Sequence, residues 1–364
     1  MPGFPRLRRQ PASARPTLRS RGNRIAGLAA LAALWLAPHI AAAADPNPLQ
    51  RLIDRARPGA VVTVPPGIYQ GGARIAKSLT LRMKGAFLRG NVGGKGVISV
   101  RIDGGRVAIE DFTATDGLGC ASGNCAGIKI EGRGFHVTLR RAHIANQVMG
   151  VLTDNRGGTL IIDSSLIEEE GHPNGALSHL VYAGEIDRLV IHNSTLRRSR
   201  HLGHLLKSRA LETVVERSFV LGLDGRHSRS IDMPCGGALV VRDSVIQHGR
   251  SSDNADVIAI GTEPKICGNV RPGDVILEDS WIISDHRAVA VDPAKPPARN
   301  TLFTWRSTGA NRLRASGNRI VNIARWRGDA SWGVPDLAPG NTVFADRAAA
   351  GLGRDEIPPL PPAR

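Results

Sequence analysis

Two short segments of this chain place uncommon polar side chains at one spacing. His179 and His204 lie 25 positions apart, in SHLVYAG and GHLLKSR, and Tyr182 and Lys207 repeat that separation. Arg209 follows Lys207 by two positions, and Asp232 comes one segment later, in SIDMPCGG. Imidazole, phenol, amine, guanidinium and carboxyl groups in one place suit proton transfer beside an anion. Eliminating a 4-linked sugar from a uronate needs such a set. The uronate carboxylate must be neutralised so that the C5 proton becomes acidic. A base must take that proton, and an acid can protonate the leaving oxygen. Arg209, always charged and forked, suits the carboxylate. Lys207 suits the base, with repulsion from Arg209 favouring its neutral amine. Tyr182, His179 or His204 suits the acid, and Ser208 and Asp232 are candidate substrate contacts. Returning the proton to the opposite face would epimerise C5 instead. Glycoside hydrolysis needs two carboxylates flanking the bond, and Asp154, Asp163, Glu185, Asp232 and Asp243 suggest no such pair. No acidic cluster points to Ca²⁺, and no metal or cofactor is expected.

Those residues matter only if the chain stacks them. A phrase of apolar, polar and again apolar positions recurs as VAIEDFTAT from Val107, VTLRRAHIA from Val137, LIIDSSLIE from Leu160 and LVIHNSTLR from Leu189. It continues as TVVERSFVL from Thr213, LVVRDSVIQ from Leu239, VILEDSWII from Val275 and LRASGNRIV from Leu313. A short strand repeated with variable loops marks a solenoid. A second column of strands alternates with the first: AGIKIEG, MGVLTDN, SHLVYAG, GHLLKSR, RSIDMPC and ADVIAIG, with a third column implied by segments such as VISVRID (97–103). The expected fold is all-β, a right-handed parallel β-helix, the hand following from the rule for parallel crossovers. Strands stack about 4.8 Å apart, so equal positions in successive coils lie one above another. Parity raises an objection: residues three apart, such as His204 and Lys207, point to opposite faces of a straight strand. A bend that turns both Leu205 and Leu206 inward, and likewise Leu180 and Val181, would remove it.

Composition fits narrow coils. Aromatics make up 4% of the 364 residues, against 42 Gly and 23 Pro, so the core must be Val, Ile, Leu and Ala. Residues 46–58 put Leu49, Leu52, Ile53 and Ala56 on one helix face, a short cap (45–59) for the open first coil. Coils are expected over 60–330, followed by a Pro/Gly-rich, loosely packed tail at 331–364. Residues 1–44 read as a signal peptide: seven Arg and no acid, an apolar run from Ile25 to Ala37, then small residues before Asp45. That run falls short of the roughly 20 residues that span a bilayer, so no stable membrane insertion is expected after cleavage. The full chain carries +16 and the remainder +9. A basic exported protein, periplasmic or secreted, suits an acidic polysaccharide as partner rather than nucleic acid. Four cysteines in an oxidising compartment suggest bridges: Cys120 with Cys125, and Cys235 with Cys267, which would staple neighbouring coils.

The run from about Gly127 to Gly261 resembles bacterial exported right-handed parallel β-helix repeat proteins, through NCAGIKIEG, SHLVYAG, GHLLKSRA, SIDMPCGG and IAIGTEP. The opening LQRLIDRARPGAVVTVPPGIY is similar to the start of many carbohydrate-active β-helices. The positions matching the family's motifs are His179, Tyr182, Gly203, His204, Lys207, Ser208, Arg209, Asp232, Pro234, Gly236 and Gly237. The wider relatives include pectate and alginate lyases and alginate C5-epimerases. The resemblance therefore implies an exported β-helix acting on a uronate polymer by a lyase-like reaction, or holding such a polymer as a binding or scaffold protein. Cys235 stands where the family pattern expects Asn, and VYAG replaces a YVG-type phrase. The Asp-Pro-His motif of alginate epimerases is absent.

Overall fold

A computed structural model describes residues 47–117, 124–154, 156–171, 178–287, 300–306, 312–327 and 339–362. The expected signal peptide at 1–44, and Cys120 with its expected bridge, lie outside them. Within them the chain coils as a β-solenoid in which every strand pairing is parallel. One sheet of ten strands runs from Ala73–Ile75 through Gly96–Arg101, Ala126–Glu131, Val151–Thr153, Val181–Ala183, Leu206–Ser208, Ile231–Met233 and Asp256–Ile260 to Thr301–Trp305 and Arg325–Arg327. The repeated phrase forms most of the other sheet, of eighteen strands.

The phrase has its pattern because it turns a corner. One residue in each of the first seven copies adopts left-handed backbone, Asp111, Arg141, Ser164, Asn193, Arg217, Asp243 and Asp279, with φ between 47 and 62°, and Gly317 takes that place in the eighth at 69°. From the Leu160 copy onward the leading apolar positions form one strand and the trailing ones another beyond the bend, whereas Arg106–Thr115 and His136–Ala145 run through it as single strands. From Ser165 onward the bend carries a polar ladder. The Ser165 N–H donates to Ser194 Oγ, Ser194 N–H to Ser218 Oγ, Ser218 N–H to Ser244 Oγ and Ser244 N–H to Ser280 Oγ, all at 3.0–3.1 Å. Asn318 continues it, its Oδ1 accepting from the Ser280 N–H. Each corner amide, cut off from water, thus keeps a partner. The third strand of each coil is therefore the end of the phrase. VISVRID is not a third column: its strand Gly96–Arg101 pairs with Ala126–Glu131 in the ten-stranded sheet.

The interior is Val, Ile, Leu and Ala from both sheets, with Phe135, Phe303 and Trp305 among the few buried aromatics. Helix Pro48–Arg55 caps the first coil. Asn47 starts it by accepting the Gln50 N–H, and Leu49 and Ile53 are buried against the core. At the other end Thr342–Phe344 adds a strand to Arg319–Val321, so stacking continues past residue 330. Pro358 and Pro361 are buried, three apart, the period of a polyproline helix. Arg347 forks onto Asp285 at 2.6 and 2.7 Å. The tail expected to pack loosely is fastened along the coils. Among the described residues no helix is long and apolar enough to cross a membrane.

Candidate functional site

Sheet register builds the site. On the outer face of the ten-stranded sheet, Lys129 is the partner of Leu152, Leu152 of Tyr182, Tyr182 of Lys207, Lys207 of Asp232 and Asp232 of Ala259. The expected stacking of Tyr182 and Lys207 is thus present, and Asp232 is next in the column. Ile231 and Met233 on either side of Asp232 enter the core, which turns its carboxylate outward. Leu180 and Val181, and Leu205 and Leu206, are all core residues. The bend before each strand lets both members of a pair face inward, so His204 and Lys207 share the outer side.

Gly203 allows the two histidine coils to meet. A Cβ there would lie 1.6 Å from the Ser178 carbonyl oxygen, so only glycine fits. The His204 N–H then donates to His179 Nδ1 at 2.8 Å, and the Arg229 N–H donates to His204 Nδ1 at 3.2 Å. An Nδ1 that accepts carries no proton, so both rings are Nε2–H tautomers. The rings stack with centroids 5.1 Å apart and planes 2° apart. Burial keeps both neutral: it pulls His179 down to about 3, helped by Lys207 and Arg209, and holds His204 well below the usual histidine range.

Around this stack the other groups close in. His204 Nε2 lies 3.2 Å from Asp232 Oδ2, and Lys207 Nζ lies 3.7 Å from the same oxygen. The Tyr182 ring meets His179 edge-on at 5.2 Å, and takes Lys207 Nζ at 5.6 Å and the Arg209 guanidinium at 5.5 Å over its face. Cation–π attraction suits this arrangement. The same ring packs on an apolar cluster of Cys125, Ala126, Val148, Met149 and Leu152. Burial raises the Tyr182 phenol, partly offset by Arg209, so the phenol keeps its proton. Asp232 is 1% exposed, and burial pushes its carboxyl up to about 6 against the pull of Lys207 and Arg229.

His179, Tyr182, His204, Lys207, Arg209 and Asp232 therefore converge. Ser208 does not join them. It lies on the inward side of its strand, fully buried, sharing a 2.7 Å hydrogen bond with Thr213 Oγ1 and accepting from the Ala210 N–H. Strand alternation places it behind Lys207 and Arg209, where no substrate reaches it.

The residue missed in the sequence is Glu263, from IAIGTEP. Its carboxylate accepts from Lys207 Nζ at 2.7 Å and from Arg209 Nη2 at 2.5 Å. Burial would raise it, but those two cations overcome that and hold it below the usual range. The two cations share a counter-ion, so the mutual repulsion expected between Lys207 and Arg209 is relieved. Glu263 arrives on the loop 261–274, which covers Asp232. Thr262 Oγ1 donates to Asp232 Oδ1 at 3.4 Å. The loop's short helix Pro264–Cys267 ends in a disulfide to Cys235, just past the Asp232 strand, with Cα atoms 5.3 Å apart. The expected staple between neighbouring coils is this bond.

Beside the cluster a groove of about 280 Å³ is lined by Asn124, Asp154, Arg156, Tyr182, Glu185 and Arg209. Lys129, wholly buried, donates to two of these lining residues, Asp154 at 3.0 Å and Asn124 at 3.2 Å. A larger cleft, of about 370 Å³, opens at another corner, but its arginines are already paired: Arg198 with Asp224, Arg250 with Asp355 and Arg347 with Asp285. Size alone does not make it the better site. No family model matches the chain, and no curated protein matches it.

Proposed function

We propose that the chain is an exported carbohydrate-active β-helix that acts on an acidic, uronate-containing polysaccharide by β-elimination. The observation that carries this reading is the meeting of Tyr182, Lys207 and Arg209 on one face of two stacked coils, both cations within 5.6 Å of the phenol ring. Arg209 takes the uronate carboxylate. Lys207, as the free amine, receives the C5 proton. The C4–C5 double bond forms as the C4–O bond breaks, and the departing oxygen takes the proton of Tyr182. Glu263, at 2.7 Å, is the acceptor nearest to Lys207, and Asp232, at 3.7 Å with its carboxyl pushed up to about 6 by burial, is the one better suited to hold the proton the amine must first give up. His204 and His179 hold Asp232 and Tyr182 in place. The resemblance to exported β-helix proteins and the Cys235–Cys267 bond support an oxidising compartment, periplasmic or extracellular.

A second reading, glycan binding without cleavage, is favoured by Glu263, which satisfies both cations in the free protein. Incubation of purified protein with a panel of uronate polymers separates the two. Rising ultraviolet absorbance from unsaturated chain ends, lost in Lys207→Met, supports elimination. Retained polymer without that rise supports binding alone. Neither response from any uronate polymer sinks both.

A further inference from the structure

The Glu263 carboxylate is divided between two cations. One oxygen accepts from Lys207 and the other from Arg209 Nη2. Arg209 Nε–H, buried at the same place, has no hydrogen-bond partner among the described residues. A guanidinium holds a carboxylate best side-on, with two parallel N–H donors each meeting one oxygen. Glu263 does not reach Arg209 that way while its other oxygen serves Lys207. Its backbone is fixed: the N–H donates to the Pro234 carbonyl at 3.0 Å, and its own carbonyl accepts from the Ile266 and Cys267 N–H groups at 3.1 Å. The disulfide anchors Cys267 to Cys235. The carboxylate thus sits at the end of a pinned arm, and only its side chain, about a quarter exposed, is free to turn.

We infer that Glu263 is a built-in competitor for the substrate carboxylate, which keeps Lys207 and Arg209 paired until a uronate displaces it and so tempers the site's affinity for uronates. The inference rests on the acidic-polysaccharide reading. A neutral sugar meets cations that are already paired and gains little. A uronate can engage Arg209 side-on, filling the unmatched Nε–H, as the Glu263 side chain turns away. Exchange of one carboxylate for another leaves the buried charges balanced throughout, which a low-dielectric site requires.

The chain has two tyrosines, so 3-fluorotyrosine labelling gives one reporter at the site, Tyr182, and one in the first coils, Tyr69. Galacturonate trimer and a neutral galactose trimer are titrated into wild type, Glu263→Gln and Glu263→Asp. The expected result is about tenfold tighter binding of the uronate trimer by Glu263→Gln, on the scale of one charge-assisted contact. Glu263→Asp, too short to span both cations, gains a few-fold and keeps the test alive if the Gln variant misfolds. The Tyr182 signal moves, the Tyr69 signal stays, and the neutral trimer gains nothing. If wild type binds the uronate and the variants bind it no tighter, Glu263 is not a competitor, while the acidic-polysaccharide reading stands. If no form responds to the uronate, both are wrong.

Discussion

Asp232 follows Lys207 in the stacked strands, and a single Asp232 oxygen faces both Lys207 Nζ, at 3.7 Å, and His204 Nε2, at 3.2 Å. Burial nevertheless dominates, pushing the carboxyl from 3.8 up to about 6. The folded protein then holds this proton more tightly than the unfolded chain. The contribution to stability is full below about pH 4 and is lost as pH rises through about 6. Its size is about 3 kcal/mol. Asp232→Asn keeps the shape and cannot ionise. Urea unfolding from pH 4 to 7 should show the wild type losing ground to the variant across that window. A difference that stays constant with pH would mean Asp232 titrates normally.

The buried histidines act with the opposite sign. His179 is pulled down to about 3 and His248 to about 4, and His204 and His227 lie well below 6.5, in each case chiefly through burial. The unfolded chain takes up protons that these folded rings refuse. Their stabilising contribution is present above about pH 6.5 and is lost as pH falls toward 3 to 4. For His179 or His248 the stability lost by pH 4 is on the order of 3 kcal/mol, and His204 and His227 add to it in the same direction. Stability should therefore fall steadily below pH 6.5, measured as the urea midpoint at fixed salt. A midpoint that is flat or rising from pH 6.5 to 4.5 contradicts the neutral, buried assignment of the rings.

Gly203 is the closest backbone approach at the site, with the Ser178 carbonyl 1.6 Å from where a Cβ would stand. Gly203→Ala must push the His204 coil off the His179 coil. Overpacking of this kind costs about 1–3 kcal/mol. The His204 N–H to His179 Nδ1 bond should lengthen with it. Thermal unfolding and the His179 ring resonances read the two effects. Unchanged values in both would show that the coils can part without loss.

The solenoid was legible because strand repeats and left-handed corners leave a phrase in the sequence, and their spacing acts as a ruler. That ruler put His179 over His204 and Tyr182 over Lys207. It failed for Ser208, where alternation along Leu206–Ser208 turns the side chain inward although its neighbours Lys207 and Arg209 face out. It also could not find Glu263, which belongs to a loop, not to a strand column. A loop's landing point depends on its whole path between anchors, and the expected Cys235–Cys267 staple fixes only its far end. IAIGTEP carried the only available signal. The corner left VISVRID misassigned for a related reason: the bend inside each phrase hides two strands in one apparent segment.

Lys207→Arg distinguishes turnover from binding at the same position. The guanidinium keeps the positive charge beside Glu263 and Asp232, and it is long enough to reach both. It does not give up a proton near neutral pH, so it cannot serve as the base. If Lys207 takes the C5 proton, elimination should drop by about 10²–10⁴-fold, the usual reach of one general base, while the polymer is bound nearly as well. That combination, low kcat with an almost unchanged Kd, requires a proton-transfer role, since loss of a purely structural contact would weaken both. If elimination persists in Lys207→Arg, the base is another group in the cluster. Tyr182→Phe, which removes the phenolic proton but keeps the ring over both cations, then decides whether the phenol carries it.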